Sequence, residues 1–188
     1  MNNKKTKCLI ISASNVQNVR IRKELYNFLL PKFDELFFVG DFLVKDSCKQ
    51  IKWKKSYNRK GIFFEILIII RLIIIFIKER PTHIISFAPK VNIYCGIITC
   101  FLKIKHIAII SGLGSMSAYI TSSGSFYNRL LKYSLSKASS VITMNEHNNG
   151  FFKSFLKNNK VWKIPSEGLD TTYKALDVKS HENKKILY

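Results

Sequence analysis

Acidic side chains are scarce in this sequence. Its 188 residues hold 12 Asp and Glu against 31 Lys and Arg, a formal net charge of +19, so any partner recruited by charge is anionic: nucleic acid, anionic lipid or a phosphorylated ligand. Coding sequence rich in A and T, which favours Lys, Ile and Asn, produces part of the same surplus. Cysteine is also sparse. Cys8, Cys48, Cys95 and Cys100 show no C-x-x-C spacing, and the N-terminus MNNKKTKCLIISAS runs from a basic tip straight into a strand-like segment instead of a secretory signal. Reduced, mostly buried thiols and a cytoplasmic chain are expected. The four histidines, His83, His106, His147 and His181, lack ligand spacing, so no metal site is expected.

Long uninterrupted apolar runs are missing too. The most hydrophobic segment, IFFEILIIIRLIIIFI (62–77), carries Glu65 and Arg71 and falls short of the ~20 apolar residues that a membrane span needs. Nor does a G-x-G-x-x-G open the first strand-to-helix turn, which excludes a dinucleotide-binding loop of that type. No helix-turn-helix, zinc-finger or aromatic RNA-binding motif is present, so nucleic acid is not the expected partner despite the charge.

What is present reads as one folded domain. Apolar residues make up 47% of the chain, aromatics 13% and charged residues 23%, enough for a single core and too short a chain for two. Short β-branched runs at 7–13, 35–40, 83–88, 106–111, 140–145 and 160–165 predict strands buried on both faces. Helices are expected between them at about 19–31, 61–79, 91–103, 125–138 and 146–157, with Pro81 after the second, Pro89 before the third and Ser125 capping the fourth. Strands alternating with helices imply βαβ units: an α/β, Rossmann-like parallel sheet flanked by helices.

A basic stretch precedes the apolar helix. Lys49, Lys52, Lys54, Lys55, Arg59 and Lys60 surround Trp53 and Tyr57, the composition of a segment lying against an anionic membrane surface. On a helix, Lys60, Arg71 and Lys78 fall within about 20° of one another. One wall of that helix is expected to pack on the sheet while the basic stripe meets solvent or lipid headgroups. A solvated loop before an ordinary core helix is the alternative.

Ligands of open parallel sheets sit beyond the carboxyl ends of the strands, which directs attention to SFAPKVNIY (86–94), SGLGSMSAY (111–119) and TMNEHNNG (143–150). Gly112 and Gly114 allow a sharp turn and a close backbone approach, or are only a tight turn. Lys90, Asn92, Asn145 and Glu146 are the polar candidates. Each also has a plain structural reading, as a solvated loop lysine, a helix cap or a charge in the first turn of a helix. Arg20 and Arg22, after the first strand, are secondary candidates.

In order and wording, PKVNIYCGIITCFLKIKHIAIISGLG, then YNRLLKYSLSKASSVITMNEHNNGFF, then VWKIPSEGLD resemble the N-terminal half of family 4 glycosyltransferases of the bacterial polysaccharide or O-antigen type. Those proteins show K-P-N-I-Y-G, T-G-L-G, L-x-x-x-A-L-x-x-A-D-x-V-x-x-Q-N-x-D-D and I-P-G-S-G-V-D. Retained here are Lys90, Asn92, Ile93, Tyr94, Gly112, Leu113, Gly114, Ala138, Val141, Asn145, Glu146, Pro165, Gly168 and Asp170. Departures are Val91, Cys95, Ser139, Met144, Ser166 and Glu167.

The resemblance implies a GT-B architecture, with an acceptor-side Rossmann-like domain over 1–170 and, from 171 to 188, a linker and the opening of a donor domain that is missing. It implies transfer of a sugar from a nucleotide-sugar, held on that C-terminal domain, to a polyprenyl-diphosphate-linked saccharide at the inner face of the plasma membrane, without a metal or other cofactor. Lys90, Asn92, Gly112, Gly114, Asn145 and Glu146 would then line the acceptor side of the cleft. Lys52, Trp53, Lys54, Lys55, Arg59, Lys60 and Arg71 would contact the membrane. The chain by itself is expected to be inactive, with the donor half either lost or supplied by a separate chain. A non-catalytic subunit that recruits such a chain to the membrane is the alternative.

Overall fold

The computed structural model describes residues 5–12, 25–40, 49–52, 62–111, 126–157 and 160–164. Seven strands form one sheet: β1 (Lys7–Ser12), β2 (Glu35–Gly40), β3 (Lys49–Lys52), β4 (His83–Phe87), β5 (Lys105–Ile110), β6 (Ser140–Thr143) and β7 (Val161–Lys163). Their order is β3-β2-β1-β4-β5-β6-β7, and every neighbouring pair is parallel. The expected Rossmann-like α/β class is therefore the observed one.

The central strands are apolar almost throughout because both faces are covered. In β1, Leu9 and Ile11 face one cluster and Cys8 and Ile10 the other, the period-two alternation of a pleated strand. Four helices cover the first face: α1 (Ile62–Glu79), α2 (Pro89–Leu102), α3 (Phe126–Lys137) and α4 (Glu146–Lys153). They contribute Ile68, Leu72 and Phe76 from α1, Val91, Cys95 and Ile98 from α2, Leu131 and Leu135 from α3, and Phe152 from α4. Burying each such side chain is worth about 1.5–3 kcal/mol. The second face is covered by residues 25–29, which are helical and run into the 3-10 turn Leu30–Lys32. Tyr26 and Leu29 supply its buried contacts.

Several boundaries differ from the expectation. β3 lies inside the basic stretch and was not anticipated. Its sequence KQIK has a single apolar residue, Ile51, and an edge strand needs no more, since only one neighbour and one covered face hold it. Pro89 does not precede α2 but opens it, at a first-turn position that needs no N–H. α4 stops at Lys153, four residues short of the expected end. Arg20, Arg22, Trp53, Lys54, Lys55, Arg59, Lys60, Gly112, Gly114, Ser125 and the proposed 171–188 linker lie outside the described residues, as does residue 170, the expected domain end.

Gly96, in the middle of α2, sets how closely α2 and α3 approach. A Cβ built there would stand 2.7 Å from the Cβ of Ser134 and 2.8 Å from its carbonyl oxygen, closer than such atoms pack. Ser134 uses the proximity, its hydroxyl donating to the Ile93 carbonyl at 3.2 Å.

Candidate functional site

The order of strands reverses between β1 and β4, so the crevice outside their carboxyl ends is the topological switch point where sheets of this kind bind ligands. β4 and α2 meet there with almost no loop. Ala88 alone separates Phe87 from Pro89, in a positive-φ conformation (φ 75°, ψ 140°) that L-residues rarely adopt. The N-terminal turn of α2, with its unpaired N–H groups and the positive end of the helix dipole, points to the same edge.

Lys90 sits in that first turn. Its ammonium pairs with Glu65 Oε1 near the N-terminus of α1, and both side chains are partly buried, 29% and 22% exposed. The pair fixes the ammonium against a neighbouring helix at the carboxyl edge. The second carboxylate oxygen, Glu65 Oε2, is buried and without a hydrogen-bond partner among the described residues.

Asn92, two residues on, points the other way. It is fully buried, its Nδ2 donating to the Ile109 carbonyl at 3.1 Å and its Oδ1 accepting from Ser86 Oγ at 2.6 Å. The carbonyl of Ile109 can only accept, so the amide orientation is determined, and with it the Ser86 proton. Ser86 Oγ must then accept from His106 Nε2, 2.7 Å away. His106 is thus a neutral Nε2–H tautomer with a bare, buried Nδ1 that has no partner among the described residues, and burial pushes its pKa down from 6.5 to about 4. Cys95 borders the same cluster, its thiol pushed up by burial. Asn92 therefore ties α2 to β4 and β5 and does not line an acceptor pocket.

Asn145 and Glu146 follow β6. Asn145 is extended (φ −136°, ψ 159°) and its side chain accepts from the Asn148 N–H at 2.8 Å, an N-cap. Glu146 is exposed and pairs with Lys163 at the end of β7. That hydrogen bond and charge hold its carboxyl below the usual value. Behind them Asn149 Nδ2 donates to Thr143 Oγ1 at 3.1 Å, fixing α4 to β6. Asn145 thus caps α4 and Glu146 ties its first turn to β7.

Parallel strands stand about 4.8 Å apart, so the carboxyl ends of β4, β5 and β6 lie in one row. Ser111, after β5, is exposed there, between Lys90 on one side and Glu146 on the other. Sequence reading missed Glu65, which stands in an apolar run and gives no local sign of its partner 25 residues away. Arg71, expected to meet headgroups, is half-buried midway along α1. The side chain of Lys52, at the end of β3, is outside the described residues. Among the described residues no group of three His, Cys, Asp or Glu could hold a metal ion, and no helix is long and apolar enough to cross a membrane.

No protein-family model and no curated sequence matches the chain. Solved structures do. UDP-N-acetylglucosamine 2-epimerase from Rickettsia bellii is 13% identical at a TM-score of 0.64, over 87% of this chain and 46% of that one. UDP-GlcNAc 2-epimerase from Neisseria meningitidis, bound to UDP-GlcNAc, is 12% identical at a TM-score of 0.60, over 86% and 47%. The glycosyltransferase UGT89C1 of Arabidopsis thaliana, complexed with UDP-L-rhamnose, is 10% identical at a TM-score of 0.57, over 90% and 51%. The shared feature is the fold, one Rossmann-like half of the GT-B architecture, and the chain spans about half the length of the structures it matches.

Proposed function

We propose that this chain is the acceptor-side half of a glycosyltransferase that moves a sugar from a nucleotide-sugar to a lipid-linked saccharide during synthesis of a cell-surface polysaccharide. The observation that carries the reading is the position of Lys90 after β4 and of Asn145 and Glu146 after β6, all residues of the family resemblance, on the carboxyl edge of the sheet beside the switch point. The fold is one found in proteins that handle UDP-sugars.

In the reaction the bond between the anomeric carbon and the nucleotide diphosphate breaks and a bond to the acceptor hydroxyl oxygen forms, the hydroxyl proton leaving. This half would hold and orient the acceptor, which is the entropic part of the problem. The Lys90 ammonium suits an acceptor's phosphate or hydroxyl groups, and Glu65 holds it at the carboxyl edge. Stabilising the leaving diphosphate falls to a second Rossmann-like half, in the same or a separate polypeptide, which also carries the donor.

The test is a pair of binding measurements on the purified chain. Binding of a polyprenyl-diphosphate saccharide, weakened by Lys90→Ala, with no binding of UDP or UDP-sugar is the expected result. Tight UDP-sugar binding, or sugar transfer by these 188 residues alone, refutes the assignment of halves. A second reading, half of a nucleotide-sugar epimerase, is favoured by the number of epimerases among the structural neighbours. It is distinguished by its product, a C2-epimerised sugar with no acceptor required.

A further inference from the structure

Apolar residues occupy both walls of α1, not one. Ile68, Leu72 and Phe76 are buried against the sheet, whereas Phe63, Ile66, Leu67, Ile70, Ile74 and Ile77 are between 42% and 66% exposed. At 100° per residue these six fall within about 50° of one direction, opposite the packed wall. The result is an apolar ridge about 21 Å long, left exposed among the described residues, on the outer side of the helix layer.

We propose that this ridge docks the protein in the plane of an anionic bilayer. The inference deepens the acceptor-side reading and rests on it only for what the docked cleft receives. Charge selects the occupant. Arg71 and Lys78 project about 70–90° from the ridge centre, on one flank. Lys78 and Arg80 lie at its C-terminal end, and the sequence from 53 to 61 before its N-terminal end carries Lys54, Lys55, Arg59 and Lys60 with no acidic residue.

The 63, 67, 70, 74, 77 spacing would also suit a helix of a second copy. Such a pair would bring together two chains each already at +19, with Arg71, Lys78 and Arg80 against a single Glu79 on the flank and at the C-terminal end of each ridge. Anionic headgroups meet Arg71, Lys78 and Arg80 favourably, and an apolar face with a basic margin is the form of a helix that lies in a membrane interface. The N-terminus of α1 holds Glu65, the partner of Lys90. The ridge and the crevice thus share α1, whose N-terminal turn stands at the carboxyl edge of the sheet.

The experiment is flotation of the purified chain with vesicles of phosphatidylcholine, with and without phosphatidylglycerol, at low and high salt. The chain is expected to float with the anionic vesicles and to be released by salt. The double variant Ile70→Glu/Ile74→Glu, on exposed positions that leave the core intact, should bind at least about tenfold more weakly. Phe101→Glu, on an equally exposed residue of α2, should bind as the original chain does, and circular dichroism confirms that both variants fold. Equal flotation of the double variant, equal binding to neutral vesicles, or a dimer by light scattering that does not float would each overturn the inference. The vesicles carry no saccharide, so failure of the acceptor reading leaves this result unchanged.

Discussion

Lowering the pH from 7 to 4 should cost this domain about 3 kcal/mol through His106 alone. The imidazole is 1% exposed, and its Nε2–H is committed to Ser86 by a chain of hydrogen bonds anchored on the Ile109 carbonyl. A second proton would have to go on Nδ1, which is buried with no acceptor opposite. In the unfolded chain His106 protonates around pH 6.5, and in the native state around pH 4. Between those values the unfolded state binds the extra proton and the native state does not, so stability falls as pH falls through that window. At about 1.36 kcal/mol per pKa unit the loss reaches ~2 kcal/mol by pH 5 and ~3 kcal/mol by pH 4, a large share of an ordinary domain's ~5–15 kcal/mol. Urea unfolding followed by circular dichroism at half-unit steps of pH measures it. His106→Gln keeps an N–H for Ser86 but cannot titrate, so its profile should be flatter than that of the original chain by this amount, whatever its stability at pH 7. His83, also held down by burial and by Lys105, contributes in the same direction to both proteins and cancels in the comparison. The lowered carboxyls of Asp34 and Glu146 act at lower pH, being lost only as they protonate below the usual carboxylate range. Parallel profiles for the two proteins would refute the reasoning.

Gly96→Ala gains helix propensity but forces a Cβ into Ser134, including its backbone, and should lower unfolding stability by a net ~1–3 kcal/mol in denaturant titration. Removing the cap with Asn145→Ala should cost about 1 kcal/mol, with faster amide exchange at Asn148, whose N–H loses its acceptor. Lys90→Ala should change stability by no more than ~1 kcal/mol, because the pair with Glu65 is partly solvated. Its effect belongs in acceptor binding, and a loss of folding without a loss of binding would remove it from the crevice.

The sheet was legible because burial on both faces demands it. CLII and LFFV are apolar without interruption, and no half-solvated strand or loop needs that. The edge strands were harder for the converse reason: β3 has one covered neighbour and a sequence that is mostly polar. Helix ends slipped where a local device overrode the pattern, as at Ala88, whose positive φ lets Pro89 start α2 at once. The outer ridge of α1 was legible only in part: the run reads as an apolar cylinder with a basic stripe and one wall on the sheet, but which isoleucines face the core and which face outward is told by packing.

The residues that carry the family resemblance divide in the structure along a physical line. Asn92, Ile93, Tyr94, Ala138 and Val141 are buried, and Asn145 is a cap. A fold of this shape needs such residues at such places whatever it binds, so their retention identifies the scaffold. Asn92 makes the point sharply: its amide has the polarity of a ligand contact, yet one end holds Ile109 and the other Ser86. Lys90 differs in kind. The core does not require an ammonium there, and its partner Glu65 stands on another helix, α1. A residue that the fold does not need, held in a fixed position where the fold binds ligands, is where function separates from scaffold. Substituting Lys90 and Asn92 in parallel therefore tests the whole assignment: Asn92→Ala should lose stability first and binding only with it, whereas Lys90→Ala should lose binding in a domain that remains folded.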